Sequence, residues 1–156
     1  MIKVFITILL LFIQSYDVFS QFRETKWGQT INQVKKSEKS ELVEESKDRL
    51  LFYEQNTLLG MNSYIEYLFL DNKLYLAQYI FDKIGADYSD FLRIKNLLIE
   101  KYGENQEGDV PLVISTWETD DTLINIMLLK EQSVLGLTYR SKKYSDFEKE
   151  RDRRKL

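Results

Sequence analysis

The strongest constraint on this chain is a pattern that occurs twice. A stretch with helical spacing is followed by three segments of alternating or two-sided apolar character, first between residues 30 and 81 and again between 87 and 140. Alternation at period two marks strands with one face buried, whereas spacing of three to four residues marks an amphipathic helix. In the first half, Thr30-Ile31-Asn32-Gln33 has the capping-box spacing that starts a helix, and Ile31 and Val34 are its only apolar residues up to Ser40. That helix is therefore short and rests on something else. Strands are predicted over Arg49 to Glu54, Ser63 to Leu70 and Leu74 to Phe81, with Asn56 to Gly60 as a connection and Asp71-Asn72-Lys73 as a tight turn. Ile65, Tyr67 and Phe69 share one face, while Leu74, Leu76 and Ile80 lie opposite Tyr75, Ala77, Tyr79 and Phe81.

In the second half, Asp87 or Ser89 caps a longer helix in which Phe91, Ile94, Leu98 and Tyr102 follow the helical period, and Gly103 supplies the left-handed stop. Glu104 to Asp109 reads as a polar loop leading to Pro111. Strands follow over Leu112 to Glu118, Leu123 to Lys130 and Val134 to Arg140, the first two joined by a turn at Thr119-Asp120-Asp121-Thr122. Helix, three strands, helix, three strands predicts an α+β layer structure. An antiparallel sheet carries the helices on one face, in two helix-plus-three-strand halves.

Residues 1–20 read as an address. Lys3 gives a cationic start, Val4 to Ile13 is apolar except for Thr7, and Val18-Phe19-Ser20 precedes a cut ahead of Gln21, the pattern of a secretory signal peptide. That ten-residue run, nine of it apolar, is about half of the roughly 20 residues that a membrane-spanning helix needs. The expected product is a periplasmic or secreted bacterial protein with no stable membrane span after cleavage between Ser20 and Gln21. It would have a single domain over 21–140 and a charged helix or tail over 141–156. Of the 136 residues that follow Ser20, 54 are apolar, enough for a core that needs neither bridges nor metal.

Charge divides unevenly. Residues 21–139 hold 13 basic and 20 acidic side chains, and residues 140–156 hold 8 basic and 4 acidic. Tyr144 and Phe147 are the aromatic rings with which that last segment can dock. Its basic residues suit anionic lipid head groups or acidic polymers, each contributing on the order of 1 kcal/mol near such a membrane, or simply stay solvated. Nucleic acid is not expected, because Asp146, Glu148, Glu150 and Asp152 interrupt the basic run and an exported protein rarely meets it.

The chain has no cysteine and no histidine. That excludes a thiol nucleophile, a Cys/His zinc site, an imidazole base and a Ser-His-Asp triad. Carboxylates remain as acid-base groups, and two of them roughly 5–9 Å apart are able to hydrolyse glycosides. Asp120-Asp121 sits at a hairpin tip, however, where exposure keeps both ionised, and Glu104 to Asp109 lacks the order of a calcium loop. No phosphate loop, dinucleotide fingerprint or nucleophile elbow is present, so no cofactor, metal or catalytic residue is assigned. If the helices cover one face of the sheet, the other keeps part of a tyrosine-rich surface. Tyr64, Tyr67, Tyr75 and Tyr79 are the candidate partner-binding residues, because tyrosine is large, stiff and half polar. Trp27-Gly28 reads as structural, with Trp27 packing under the first turn of the first helix and Gly28 permitting a bend.

The segment from Phe22 to Lys35, with Trp27-Gly28 ahead of a short helix ending in Val34-Lys35, resembles the opening of a group of uncharacterised exported bacterial proteins, and Ile94-Lys95 to Lys101-Tyr102-Gly103 fits the same group. In outline the two halves are similar to envelope modules of the outer-membrane assembly lipoprotein type and to the beta-lactamase inhibitor protein. The export signal together with the missing catalytic groups predicts an exported non-enzymatic binding or scaffold protein of the bacterial periplasm or cell envelope that acts through an open sheet face, with an envelope protein or an anionic polymer or lipid as its partner. An inhibitor of a secreted enzyme and a small carboxylate-only hydrolase acting on polysaccharide are the other expectations. The chain lacks the acylated cysteine of the lipoproteins and the disulfides of the inhibitor. The sequence leaves the oligomeric state open.

Overall fold

A computed structural model describes residues 22–81, 87–107, 113–129 and 134–146. The proposed cut at Ser20-Gln21 and the charged tail beyond Asp146 lie outside the described residues. The chain forms α1 (Ile31–Ser37), β1 (Glu41–Ser46), β2 (Arg49–Leu58), β3 (Met61–Leu70), β4 (Lys73–Phe81), α2 (Tyr88–Tyr102), β5 (Gln106–Glu107), β6 (Val113–Glu118), β7 (Thr122–Leu129) and β8 (Val134–Ser141), followed by a helical turn at 142–146. The strands make one antiparallel sheet in the order β1-β2-β3-β4-β8-β7-β6-β5. Four strands run as a meander from one edge to the middle. After α2 the chain resumes at the opposite edge and works back, so that the last strand pairs with β4.

The caps form as their residues dictate. Thr30 and Gln33 complete the capping box of α1, Asp87 accepts from the amides of Ser89 and Asp90 at the start of α2, and Gly103 ends α2 at φ +85°. Asp71 and Asn72, at φ +49° and +59°, make the two-residue turn between β3 and β4. Leu59 and Gly60 turn β2 into β3, so the connection expected from Asn56 is mostly strand.

The first half differs from the expected three strands. β1 (Glu41–Ser46) is a fourth, exposed along its whole length and therefore without an apolar face to alternate. Its bulge at Val43, between Leu42 and Glu44, and its glutamates are features that discourage strangers from pairing with an edge. At the opposite edge, Gln106 and Glu107 of the expected polar loop pair with Thr116 and Ser115.

Along β4 the alternation is broken. Leu68 pairs with Leu76 and Phe69 with Leu74, which leaves Tyr75 as an extra, bulged residue. Leu74 thus joins Phe69 and Ala77 in the main core, and Leu76 turns to the other face, correcting the expectation that Leu74 and Leu76 share one side. Val34 of α1 and Phe91, Ile94 and Leu98 of α2 lie in the same buried cluster as the inner residues of β2, β3, β4, β8, β7 and β6, among them Leu50, Ile65, Ala77, Leu137, Ile126 and Trp117. No described helix is long and apolar enough to cross a membrane.

Candidate functional site

The residues before α1 are tied into the sheet. Phe22 is 3% exposed, its ring against Tyr67, Tyr79 and Tyr139 at centroid distances of 5.6, 4.9 and 5.2 Å. The Trp27 indole N–H donates to Thr122 Oγ1 at 2.9 Å, which fastens the segment to the start of β7, and Trp27 packs against the main core together with Ile31 of α1. The Gly28 amide donates to Leu74 O at 2.9 Å, the Leu74 amide donates to Gln29 O at 2.8 Å, and the Ile31 amide donates to Asn72 Oδ1 at 3.1 Å. Gly28 sits at φ +83°, and a Cβ there would lie 2.7 Å from the hydroxyl of Tyr144. Gly28→Ala is expected to lower stability by about 1–2 kcal/mol through the left-handed backbone alone. It also displaces Tyr144. Thermal unfolding of the variant beside wild type checks this.

Arg23 at φ +52° turns its guanidinium under this segment into a cluster of charged groups. Its Nε is 3.2 Å from Glu38 Oε2, and its Nη1 donates to Glu54. The Glu38 carboxylate, whose side chain is 1% exposed, also accepts from the Tyr67 hydroxyl at 2.7 Å and from the amides of Lys39 and Ser40 at 2.8 and 2.9 Å. Burial alone would raise the Glu38 pKa, but Tyr67, Ser40 and Arg23 outweigh it and hold the group below the usual carboxylate range. For Arg23, burial works against the charge, and the Tyr79 hydrogen bond and Glu38 more than restore it. Burial, reinforced by Glu38, pushes the Tyr67 phenol upward, so it remains a donor. A carboxylate with this many donors keeps its charge and has no spare basicity, so the cluster is built to hold position rather than to pass protons. Beside it lies a cleft of about 290 Å³ lined by Arg23, Thr25, Ser37, Glu38, Lys39 and Tyr67.

The four tyrosines singled out from sequence do not share a surface. Tyr67 is fully buried, and Tyr79 belongs to the same inner face, half-buried against Phe22. Tyr75, displaced by the bulge, is 6% exposed in a second small cluster with Leu70 and Leu76, against which Leu68 and Tyr144 pack. Tyr64 stands on the outer face, half-buried, its ring 5.3 Å from that of Tyr53. Asp120 and Asp121 lie in the turn before β7, where Asp121 accepts from the hydroxyl of Thr122 at 2.7 Å. Among the described residues, no group of three or more carboxylates is placed to hold a metal ion.

The outer face is organised in rows. Strand register aligns Leu51, Glu66, Gln78, Thr138, Asn125 and Thr116 from β2 to β6. Arg49 approaches Glu66 at 3.6 Å, Gln78 Nε2 donates to Glu66, Thr138 Oγ1 donates to Gln78 Oε1 at 3.0 Å, and Thr116 Oγ1 donates to Asn125 Oδ1 at 2.9 Å. On one side of this polar row runs Tyr53, Tyr64, Ile80, Gly136, Met127 and Ile114. On the other side runs Arg49, Leu68, Leu76, Arg140, Leu123 and Glu118. None of these outer residues belongs to the core cluster that contains the helices, and Tyr144 packs over the Leu68–Leu76 end. The sequence pattern pointed to a second sheet face with contact potential. It did not reveal the row of amides and hydroxyls, which exists only once the register is set.

Comparison with protein-family models, with curated proteins and with solved structures finds no match.

Proposed function

We propose that this chain is exported, cut between Ser20 and Gln21, and acts in the bacterial periplasm or cell envelope as a non-enzymatic binding or scaffold protein that meets its partner through the outer face of the sheet. The observation that carries the reading is the outer face itself. Half-buried apolar side chains such as Tyr53, Tyr64, Ile80, Met127 and Ile114 flank an internally hydrogen-bonded polar row on a surface that neither helix covers. An antiparallel sheet that faces water on one side ordinarily turns polar residues outward, and a contiguous apolar patch marks a contact site. The finer architecture belongs to the same reading: two halves, each a helix followed by strands, joined at β4 and β8 with both helices on the inner face.

The charged groups support a binding role over the hydrolase. Glu38 and Glu54 are bridged by Arg23, and Glu66 accepts from Gln78 beside Arg49.

Affinity capture from envelope extracts tests the proposal. A specific protein is expected to be retained by wild type and by the distant variant Val43→Ala, and lost with Met127→Lys, which puts a charge in the middle of the outer face. Saturable turnover of an envelope polysaccharide, abolished by a Glu or Asp substitution, would overturn the reading. Mass measurement of the exported product is expected to give a chain beginning at Gln21.

A further inference from the structure

Resting on that reading of the outer face, we propose that its occupant in the free protein is a second copy of this chain, packed face to face about a two-fold axis that runs parallel to the strands over the β4–β8 seam. The size fits. From β2 to β6 the face is six strands wide, and at about 4.8 Å per strand and about 3.4 Å per residue it offers roughly 700 Å², allowing for the end under Tyr144. A partner in a stable interface contributes roughly 600–1,000 Å².

Register selects the axis. A two-fold axis along the strands lays β4 over β8 of the second copy, β3 over its β7 and β2 over its β6; the polar row and the Tyr53–Ile114 row each meet the same row reversed, while Tyr144 already covers the Leu68–Leu76 part of the third. Gln78 then faces Thr138 of the second copy, and Glu66 faces Asn125 of the second copy, so the polar row meets hydrogen-bonding groups. Tyr64 faces Met127 and Tyr53 faces Ile114, placing apolar groups on apolar groups. At the two rims Arg49 meets Glu118, once on each side of the axis. Turning the axis across the strands would set Glu66 over Glu66, two carboxylates in a drying interface, which is unfavourable. The pairing is isologous, so it closes at two copies.

The rim contact gives a test that does not depend on burying a charge in the sheet. Arg49 and Glu118 have side-chain exposures of 35% and 56%, and their ion pairs to Glu44 and Lys142 within one copy are surface pairs. Arg49 also lies 3.6 Å from the buried Glu66, so circular dichroism of Arg49→Glu establishes that it folds before its association is read, and Glu118→Arg carries the test if it does not. Sedimentation of the purified protein is expected to show a dimer at micromolar concentration. Arg49→Glu alone and Glu118→Arg alone each set like charges together at both rims and are expected to weaken self-association about tenfold. Mixing the two single variants restores opposite charges at both rims, so a heterodimer of near wild-type affinity is expected, as is a recovered homodimer for the double variant.

A monomer with and without residues 147–156 would overturn the proposal. So would a dimer indifferent to the charge exchange, and so would a full chain that is monomeric but dimerises once 147–156 are removed, which would make the tail the occupant. The two readings fail separately. A monomer whose partner capture is abolished by Met127→Lys overturns self-pairing and leaves the binding reading standing. A dimer broken by the charge exchange, with no partner retained in either state, does the reverse.

Discussion

Glu38→Ala is expected to cost about 3–5 kcal/mol of folding stability, because it removes the buried carboxylate on which Arg23, Tyr67 and two backbone amides converge. The side chain of Glu38 is 1% exposed, and its removal leaves Arg23 beside Glu54 alone, the Tyr67 hydroxyl without its acceptor, and two amides before β1 unsatisfied. Urea unfolding followed by tryptophan fluorescence measures the loss. Tyr67→Phe, which deletes one neutral donor and keeps the ring, is expected to cost only about 1–2 kcal/mol. The same cluster sets an acid limit. The folded pKa of Glu38 lies below its ordinary value of 4.5, so its stabilisation is fully present above that value and is lost as pH falls through the folded pKa. Wild type is therefore expected to lose stability steeply below about pH 4.5, and Glu38→Gln to show a flatter acid limb. Equal slopes for the two proteins would remove Glu38 from the account of acid stability.

Phe22→Ala is the second large effect, also about 3–5 kcal/mol, since it empties the space between three tyrosine rings and unpins the segment that holds Arg23 and Trp27. Its carbonyl accepts from the amide and the hydroxyl of Thr25 at 3.0 and 2.6 Å, so the ring is presented by a closed local turn rather than by a loose end. Val43→Ala, at a residue 54% exposed, is the matched control and is expected to change stability by less than about 0.5 kcal/mol. A Phe22→Ala variant as stable as that control would show that the aromatic cluster closes without Phe22. The expected cost also bears on the proposed processing: a chain cut two residues further on, so as to begin at Arg23, would lack the core side chain of Phe22.

The elements that were legible in the sequence are those whose signals are local. Thr30 and Gln33, Asp87, Gly103 and the Asp71-Asn72 turn act through hydrogen bonds or φ values within a few residues, and each does what its chemistry dictates. β1 was invisible because both of its faces meet solvent, so Glu41 to Ser46 carries no period. The bulge at Tyr75 was hidden because one inserted residue reverses the phase of everything before it, and a single alternating run reads the same on either side of the slip. The Arg23 cluster could not be read at all. Glu38, Glu54, Tyr67 and Tyr79 are separated along the chain and come together only when β2, β3 and β4 lie side by side under the N-terminal segment. The four tyrosines are dispersed for the same reason: burial of a strand residue depends on which face the register assigns it, so Tyr67 and Tyr79 face the main core, Tyr75 lies in the second cluster under Tyr144, and Tyr64 stands beside Tyr53 on the outer face.

The pairing of β4 with β8 has a consequence for how the molecule comes into being. The strand made last completes the middle of the sheet, and until it arrives the first four strands end in an unsatisfied edge at β4. A chain delivered from its amino end, from a ribosome or through a translocation pore, therefore cannot finish its first half and then add the second. Long-range closure is the final event, with the slow kinetics and exposed edge that non-local strand pairing brings. If the proposed export takes place, such a delay is compatible with transport, because the sheet closes only after β8 has emerged.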